Sequence, residues 1–276
     1  MGRLQELILQ GKRGDGRFPL EELLRDLEEL GRFEGGERAR FRRAKWIVGL
    51  LVVGGILLII TDPVAPGLAI GLGATMVAAG VAIWFKARRR WRERGLMEDF
   101  QGLLLPFLRE VAEDLDPKRP VELELDLAGP VEGKRERQWQ EKRGGHTFVF
   151  TLFRDPWLRL RARLRDGNLM ELSCTNNWLR RVRSYKKKTK WKKEAVVKAA
   201  VIARNPALKW REAGDRDGGF RFDPSKRGGR LSLVRKFKFK GPDAPPLDVP
   251  PVEEVVAMFM EIYRRCQVEE GEGHGS

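Results

Sequence analysis

Three carboxylates at alternate positions, Glu122, Glu124 and Asp126, are the residues whose type and spacing come nearest to holding a metal or sharing a proton. They interleave with Val121, Leu123, Leu125 and Leu127, the period-two pattern of a strand with one buried face. Alternate positions on a strand stand about 7 Å apart on the solvated side, so the row reads as a polar strand face. The two histidines offer little more. His146 lies in a strand-like run and His274 in the C-terminal tail, and neither has the neighbour that positions a general base. Cys174 and Cys266 show no CxxC spacing and no adjacent histidine, which indicates neither a zinc site nor a disulfide framework and leaves two small hydrophobes. There is no GxSxG, GxxxxGK[ST] or HExxH, and no GxGxxG beside a strand. The expectation is a protein without catalytic, cofactor-binding or metal-binding residues, and without a cofactor.

What remains is positive charge. Arg180, Arg181, Arg183, Lys186, Lys187, Lys188, Lys190, Lys192 and Lys193 place nine cations in fourteen residues, with Tyr185 and Trp191 among them. Clusters of this size near a membrane attract anionic headgroups, and cations interleaved with aromatics also track a phosphate backbone. Lysines on an edge strand serve a third purpose, preventing edge-to-edge pairing. Anionic lipid is the preferred partner here, with nucleic acid second and an acidic protein as a further possibility.

The elements that must position this charge begin with two apolar runs, WIVGLLVVGGILLII (Trp46–Ile60) and GLAIGLGATMVAAGVAIWF (Gly67–Phe85). A spanning helix needs about 20 residues, with about 17 as a minimum; the first run reaches that only if Ala44 and Thr61 join it. Asp62, Pro63 and Pro66 close the connection. Arg42, Arg43 and Lys45 precede the pair, Lys86, Arg88, Arg89 and Arg90 follow it, and the turn carries no basic residue. The positive-inside rule then keeps both termini cytoplasmic. A buried hairpin in a soluble core and a re-entrant hairpin are the alternatives; an apolar region starting this late and followed by a second one excludes a secretory signal. Gly49, Gly54, Gly71, Gly73 and Gly80 would let the two helices approach closely.

Before the hairpin, Pro19 and the stripe Leu20, Leu23, Leu24, Leu27 and Leu30 predict a short amphipathic helix stopping at Gly31, followed by a charged linker over residues 35–43. After it, Leu96, Phe100, Leu103, Leu104, Phe107, Leu108, Val111 and Leu115 predict a second helix, kinked or split near Leu105 by Pro106. Strands follow at residues 121–127, 146–153 (through Phe148, Phe150 and Leu152), 158–164, 170–174, 195–203, 220–222 and 231–239, and a closing helix at residues 252–263. Around Asp166-Gly167-Asn168 a three-residue loop pairs Leu164 with Met170, Ala162 with Leu172 and Arg163 with Glu171, with Asn168 left-handed.

This order predicts an α+β protein: a two-helix transmembrane hairpin, then a cytosolic, mostly antiparallel β-sheet domain flanked by N- and C-terminal helices. The expected divisions are an N-terminal segment (1–45), the hairpin (46–85), a basic juxtamembrane linker (86–95), the α+β domain (96–268) and a disordered acidic tail (269–276). Of the net charge of +15, residues 97–276 carry +9, so anionic lipid headgroups are the natural counter-charge. High arginine, glycine and tryptophan usage is that of a GC-rich bacterium, and the expected location is a bacterial inner membrane. The function expected is a non-enzymatic scaffold or binding module. An accessory subunit of a transporter or channel, or a membrane-tethered nucleic-acid-binding protein, are the alternatives. A homo-oligomer or a larger membrane protein would be the partner of the hairpin.

Overall fold

The computed structural model describes residues 4, 6–8, 13–61, 66–94, 99–127, 135–183, 189–204, 208–210, 219–224, 229–239 and 249–268. The elements in chain order are β1 (Arg13–Phe18), α1 (Leu20–Thr61), α2 (Pro66–Arg94), α3 (Asp99–Val111), β2 (Val121–Asp126), β3 (Arg135–Arg143), β4 (His146–Arg163), β5 (Leu169–Arg183), β6 (Thr189–Ile202), β7 (Leu208–Trp210), β8 (Phe220–Asp223), β9 (Arg230–Phe239), α4 (Val252–Arg264) and β10 (Cys266–Val268). They form two compact units, residues 1–28 with 97–276, and residues 29–96. The fold is α+β, with an antiparallel sheet and two helices long and apolar enough to cross a membrane.

In the first unit the strand order is β1-β2-β4-β5-β6-β9-β8, every pairing antiparallel, and β3 pairs with the N-terminal half of β4. β7 and β10 pair separately. Alternation explains most of this sheet: Val121, Leu123 and Leu125 of β2 and Met170, Leu172 and Cys174 of β5 are buried, while Glu122, Glu124 and Glu171 point the other way. Leu23 and Leu27 at the start of α1, Leu103, Leu104, Phe107 and Leu108 of α3, and Val255, Met258, Phe259 and Ile262 of α4 complete the core. Phe107 and Phe259 meet with ring centroids 5.6 Å apart. Burial pushes the Cys174 thiol well above its ordinary range, as for a small core hydrophobe.

Several expectations need correction. Residues 13–18 form an edge strand of the sheet, so residues 1–28 of the expected N-terminal segment belong to the same unit as the C-terminal domain, and 29–45 to the other. α1 does not stop at Gly31 or give way to a linker at 35–43, and α2 continues through the expected linker to Arg94. A helix already formed on both sides of a glycine extends more cheaply than it breaks and renucleates, and the neighbouring Glu, Arg and Leu are strong helix formers. α3 runs through Pro106 as one helix.

β4 is a single strand of 18 residues, because a bulge at Trp157 joins the two runs expected separately: Pro156 pairs with Thr175, and Leu158 pairs with Cys174. The extra residue reverses the facing of the chain. Phe153 and Asp155 therefore share the buried face with Leu158 and Leu160, and Phe148, Phe150 and Leu152 lie on the opposite face, where Phe150 is still only 7% exposed, stacked against Trp139.

The β4–β5 loop differs too. Leu160 pairs with Leu172 and Ala162 with Met170, leaving five residues, Leu164 to Asn168, in the loop. Leu164 bridges to Leu115 instead. Asp166 accepts hydrogen bonds from the Asn168 backbone N–H (2.9 Å) and side-chain amide (2.7 Å), and the left-handed residue is Gly167, not Asn168.

In the second unit α1 and α2 pack through small residues. A Cβ on Gly55 would lie 2.7 Å from the Gly73 carbonyl oxygen, and one on Gly73 would lie 2.6 Å from that of Gly55. A Cβ on Gly80 would lie 3.3 Å from Val52 and 3.5 Å from Leu51, and one on Gly54 would lie 3.4 Å from Met76. Gly49 and Gly71 have open space beside them; the close approach centres on Gly55. Phe41 of α1 stacks with Trp84 of α2 at 5.9 Å, and the Lys45 ammonium sits over the Phe41 ring. The apolar spans are Ala39–Ile60 and Ile70–Ala87, 6% and 11% buried. The connection at 62–65, the side chains of Arg88, Arg89 and Arg90, and the tail at 269–276 lie outside the described residues.

Candidate anion-binding face

β5 and β6 carry the basic run, and strand alternation divides it between the two faces of the sheet. The register sets Arg180 opposite Trp191 and Trp178 opposite Lys193, which places these four on the face shared with the core. Lys193 is 7% exposed. The Arg180 guanidinium lies over Phe153, which in turn contacts Trp191 at 6.0 Å. Arg181, Arg183, Lys190 and Lys192 fall on the opposite, open face. Lys186, Lys187 and Lys188, with Tyr185, lie outside the described residues. β5 is flanked by β4 and β6, and β6 by β5 and β9. Arg180 and Arg181 are paired on both sides, whereas Thr189 to Lys192 pair with β5 alone among the described residues, the β6–β9 pairing starting at Lys193, so Lys190 and Lys192 stand on a strand edge, where lysines also discourage further pairing.

The open face gains further partners from β3. β3 presents Arg137, Trp139, Glu141 and Arg143, paired with Leu152, Phe150, Phe148 and His146 of β4. The Trp139 indole stacks flat on Phe150, centroids 5.2 Å apart and planes 9° apart. Arg143 lies 5.8 Å from the same Phe150 ring, Arg137 5.6 Å from Trp139, and Arg181 5.3 Å from Phe148. Such contacts hold a guanidinium over a ring, and Arg143 is in addition ion-paired with Glu141. Glu141 accepts hydrogen bonds from Trp139 Nε1–H (2.8 Å) and Arg143 Nε–H (2.7 Å), which hold its carboxyl below the ordinary range. Arg183 contacts the His146 ring. The result is an aromatic floor edged by Arg137, Arg143, Arg181, Arg183, Lys190 and Lys192. The sequence signal for this floor is the alternation Arg137, Trp139, Glu141, Arg143, half a strand pattern whose apolar half is supplied by β4.

At the other end of the sheet the open face is charge-balanced. Arg17 and Arg161 reach Glu122 at 2.8 and 3.7 Å, Arg161 and Arg230 reach Glu171 at 3.3 and 2.5 Å, Arg159 reaches Glu124 at 3.4 Å and Arg13 reaches Asp126 at 3.1 Å. The carboxylate row thus has arginine partners throughout. Lys198, in the same face on β6, is pushed below its ordinary range by partial burial and by Arg230 and Arg221. Among the described residues no group of three or more His, Cys, Asp or Glu is placed to hold a metal ion. No protein family, curated protein or solved structure matches this chain.

Proposed function

We propose that this protein is a membrane-anchored, non-enzymatic binding module, whose cationic and aromatic sheet face engages anionic phospholipid headgroups at the cytosolic surface of a bacterial inner membrane. The observation that carries the reading is the clustering of Arg143, Arg181, Arg183, Lys190 and Lys192 around Trp139, Phe148 and Phe150 on one open face. Cations there gain about 1 kcal/mol each near an anionic surface, and the half-buried rings of Trp139 and Phe148 add interfacial affinity. Tethering through α1 and α2 raises the effective concentration of headgroups around the unit.

The test uses the full chain in neutral detergent, titrated with micelles doped with phosphatidylglycerol. Replacing Arg181, Arg183, Lys190 and Lys192 by glutamine is expected to weaken association at least about tenfold, and salt to weaken it further. Unchanged association in the quadruple variant overturns the reading. Preferential binding of single-stranded oligonucleotide with a steep salt slope would instead place the face among nucleic-acid platforms. A stoichiometric multi-span protein co-purifying in mild detergent would favour the accessory-subunit alternative.

The two apolar helices serve in this proposal as a transmembrane hairpin. Trp46, Leu50, Ile60 and Phe85 are each more than 60% exposed, the state of side chains facing lipid. Cations at the outer ends of both spans, Arg42, Arg43 and Lys45 with Lys86, Arg88, Arg89 and Arg90, put both termini inside. A cysteine introduced at Ala65 is then expected to react with an impermeant maleimide in intact spheroplasts; reaction only after lysis would favour the re-entrant form.

A further inference from the structure

We propose that a second, separate site binds a small phosphoryl ligand of about pyrophosphate size in a cleft at the β1–β2–β4 end of the sheet. The cleft has a volume of about 280 Å³ and is lined by Arg17, Arg119, Arg161, Arg163 and Arg204, with Glu122 as the one carboxylate among its lining residues. The neighbouring cleft along the same strands sets three arginines against three carboxylates, Asp15, Glu122 and Glu124. Charge balance is thus the local rule on this face, and the arginine cleft departs from it.

The five guanidiniums are not equivalent. Arg17 pairs with Glu122, and Arg161 is shared between Glu122 and Glu171. Arg119, Arg163 and Arg204 have no side-chain hydrogen bond or carboxylate partner among the described residues. Three separate segments bring them together, and each segment is pinned by its backbone. The Arg119 N–H donates to the Asp116 carbonyl (3.1 Å), and the Asp116 N–H donates to the carbonyl of Arg163 itself (2.9 Å). The Arg165 N–H donates to the Asp114 carbonyl (2.8 Å), stapling the same turn to the end of β4. The Arg204 N–H donates to Oδ1 of Asn168 (3.0 Å), a fully buried side chain held by Asp166.

Like charges gathered in one cleft repel, and a concave wall focuses their field. A multivalent anion seated among them reverses that cost. Planar guanidinium forks match the oxygens of a phosphoryl group in pairs, which favours phosphate chemistry over a single carboxylate. The volume lies just below the usual range for sites that hold drug-sized ligands, about 300–1,000 Å³, so the cleft suits one or two phosphoryl groups. A lipid phosphomonoester and a soluble phosphate ester share this chemistry. The proposal does not rest on the headgroup face at the other end of the sheet.

The full chain in neutral detergent, titrated calorimetrically with inorganic pyrophosphate, is expected to show one saturable site. The double variant Arg163→Gln/Arg204→Gln should weaken it at least tenfold, with Arg119→Gln as the milder alternative should the double variant unfold. Glu122→Gln should tighten it several-fold, because it removes the opposing carboxylate and frees Arg17, while Arg161 keeps Glu171. Lys236→Gln/Lys238→Gln, which makes the same net-charge change on β9, should leave it unaltered. No saturable binding at millimolar pyrophosphate, or an equal loss in the β9 variant, overturns the proposal. Displacement of bound pyrophosphate by micelles containing phosphatidic acid, but not phosphatidylcholine, supports the site with a lipid phosphomonoester as its source. Retention of pyrophosphate supports it with a soluble one.

Discussion

A fragment beginning at Met97 is expected to remain unfolded, and a peptide of residues 1–28 supplied in trans is expected to restore its fold. β1 pairs with β2 from Arg13–Asp126 to Phe18–Val121, so its removal turns an interior strand into an edge. The same segment buries Leu4, Ile8, Phe18, Leu23 and Leu27, each 1% exposed or less. At about 1.5–3 kcal/mol per buried large apolar side chain, the five are worth on the order of 10 kcal/mol, which compares with the whole stability of a domain, about 5–15 kcal/mol. A polar tie adds to this, since Arg109 reaches Glu28 at 2.5 Å. In the full chain Phe18→Ala alone should cost about 3–5 kcal/mol. Far-UV circular dichroism and urea unfolding decide the matter. A cooperative transition of the 97–268 fragment at the midpoint of the full chain would sink the idea.

Where burial wrote a period into the residues, the sequence was informative. Met170, Leu172 and Cys174 announced β5, Val255, Phe259 and Ile262 announced α4, and the apolar runs announced the two long helices. Parity was harder. The β4–β5 register moved by two residues, and a shift of two keeps every side chain on its own face, so hydrophobic pattern could not separate the two loops; Asp166 and the Leu115–Leu164 bridge decided between them. The Trp157 bulge did the opposite. It changed the facing of Phe148, Phe150 and Leu152 with no mark in composition, and it is what carries the aromatic floor to the open side. β1, with its sequence RGDGRF, has two glycines and one large apolar residue, a poor strand by propensity that exists because β2 offers a partner. The nine-cation run was legible as charge, but its division between faces was not, since that depends on the register with β4. The arginine cleft had no signal at all. Arg17, Arg119, Arg163 and Arg204 come from four segments, and only the fold sets them side by side.

Gly55→Ala and Gly73→Ala are expected to destabilise the pairing of α1 and α2, whereas Gly49→Ala and Gly71→Ala are expected to leave it unchanged or strengthen it. At both of the first two positions the new methyl would meet the facing backbone, 2.7 Å from the Gly73 oxygen or 2.6 Å from the Gly55 oxygen, and a backbone cannot rotate away as a side chain can. Relief requires the helices to separate, and overpacking of this kind costs about 1–3 kcal/mol, here concentrated at the closest approach of the two helices. Nothing lies within 4 Å of a Cβ at Gly49 or Gly71, so only helix propensity changes there, by up to about 1 kcal/mol in favour of alanine. The two pairs of substitutions are chemically identical and differ in sign, which removes general effects of glycine replacement. Trp84, stacked on Phe41 of the other helix, offers a local readout: its fluorescence should change early in a denaturing-detergent titration of the Gly55 and Gly73 variants, and at the wild-type point or later in the other two. Equal midpoints for all four variants would mean that the Gly55–Gly73 approach does not hold the helices together.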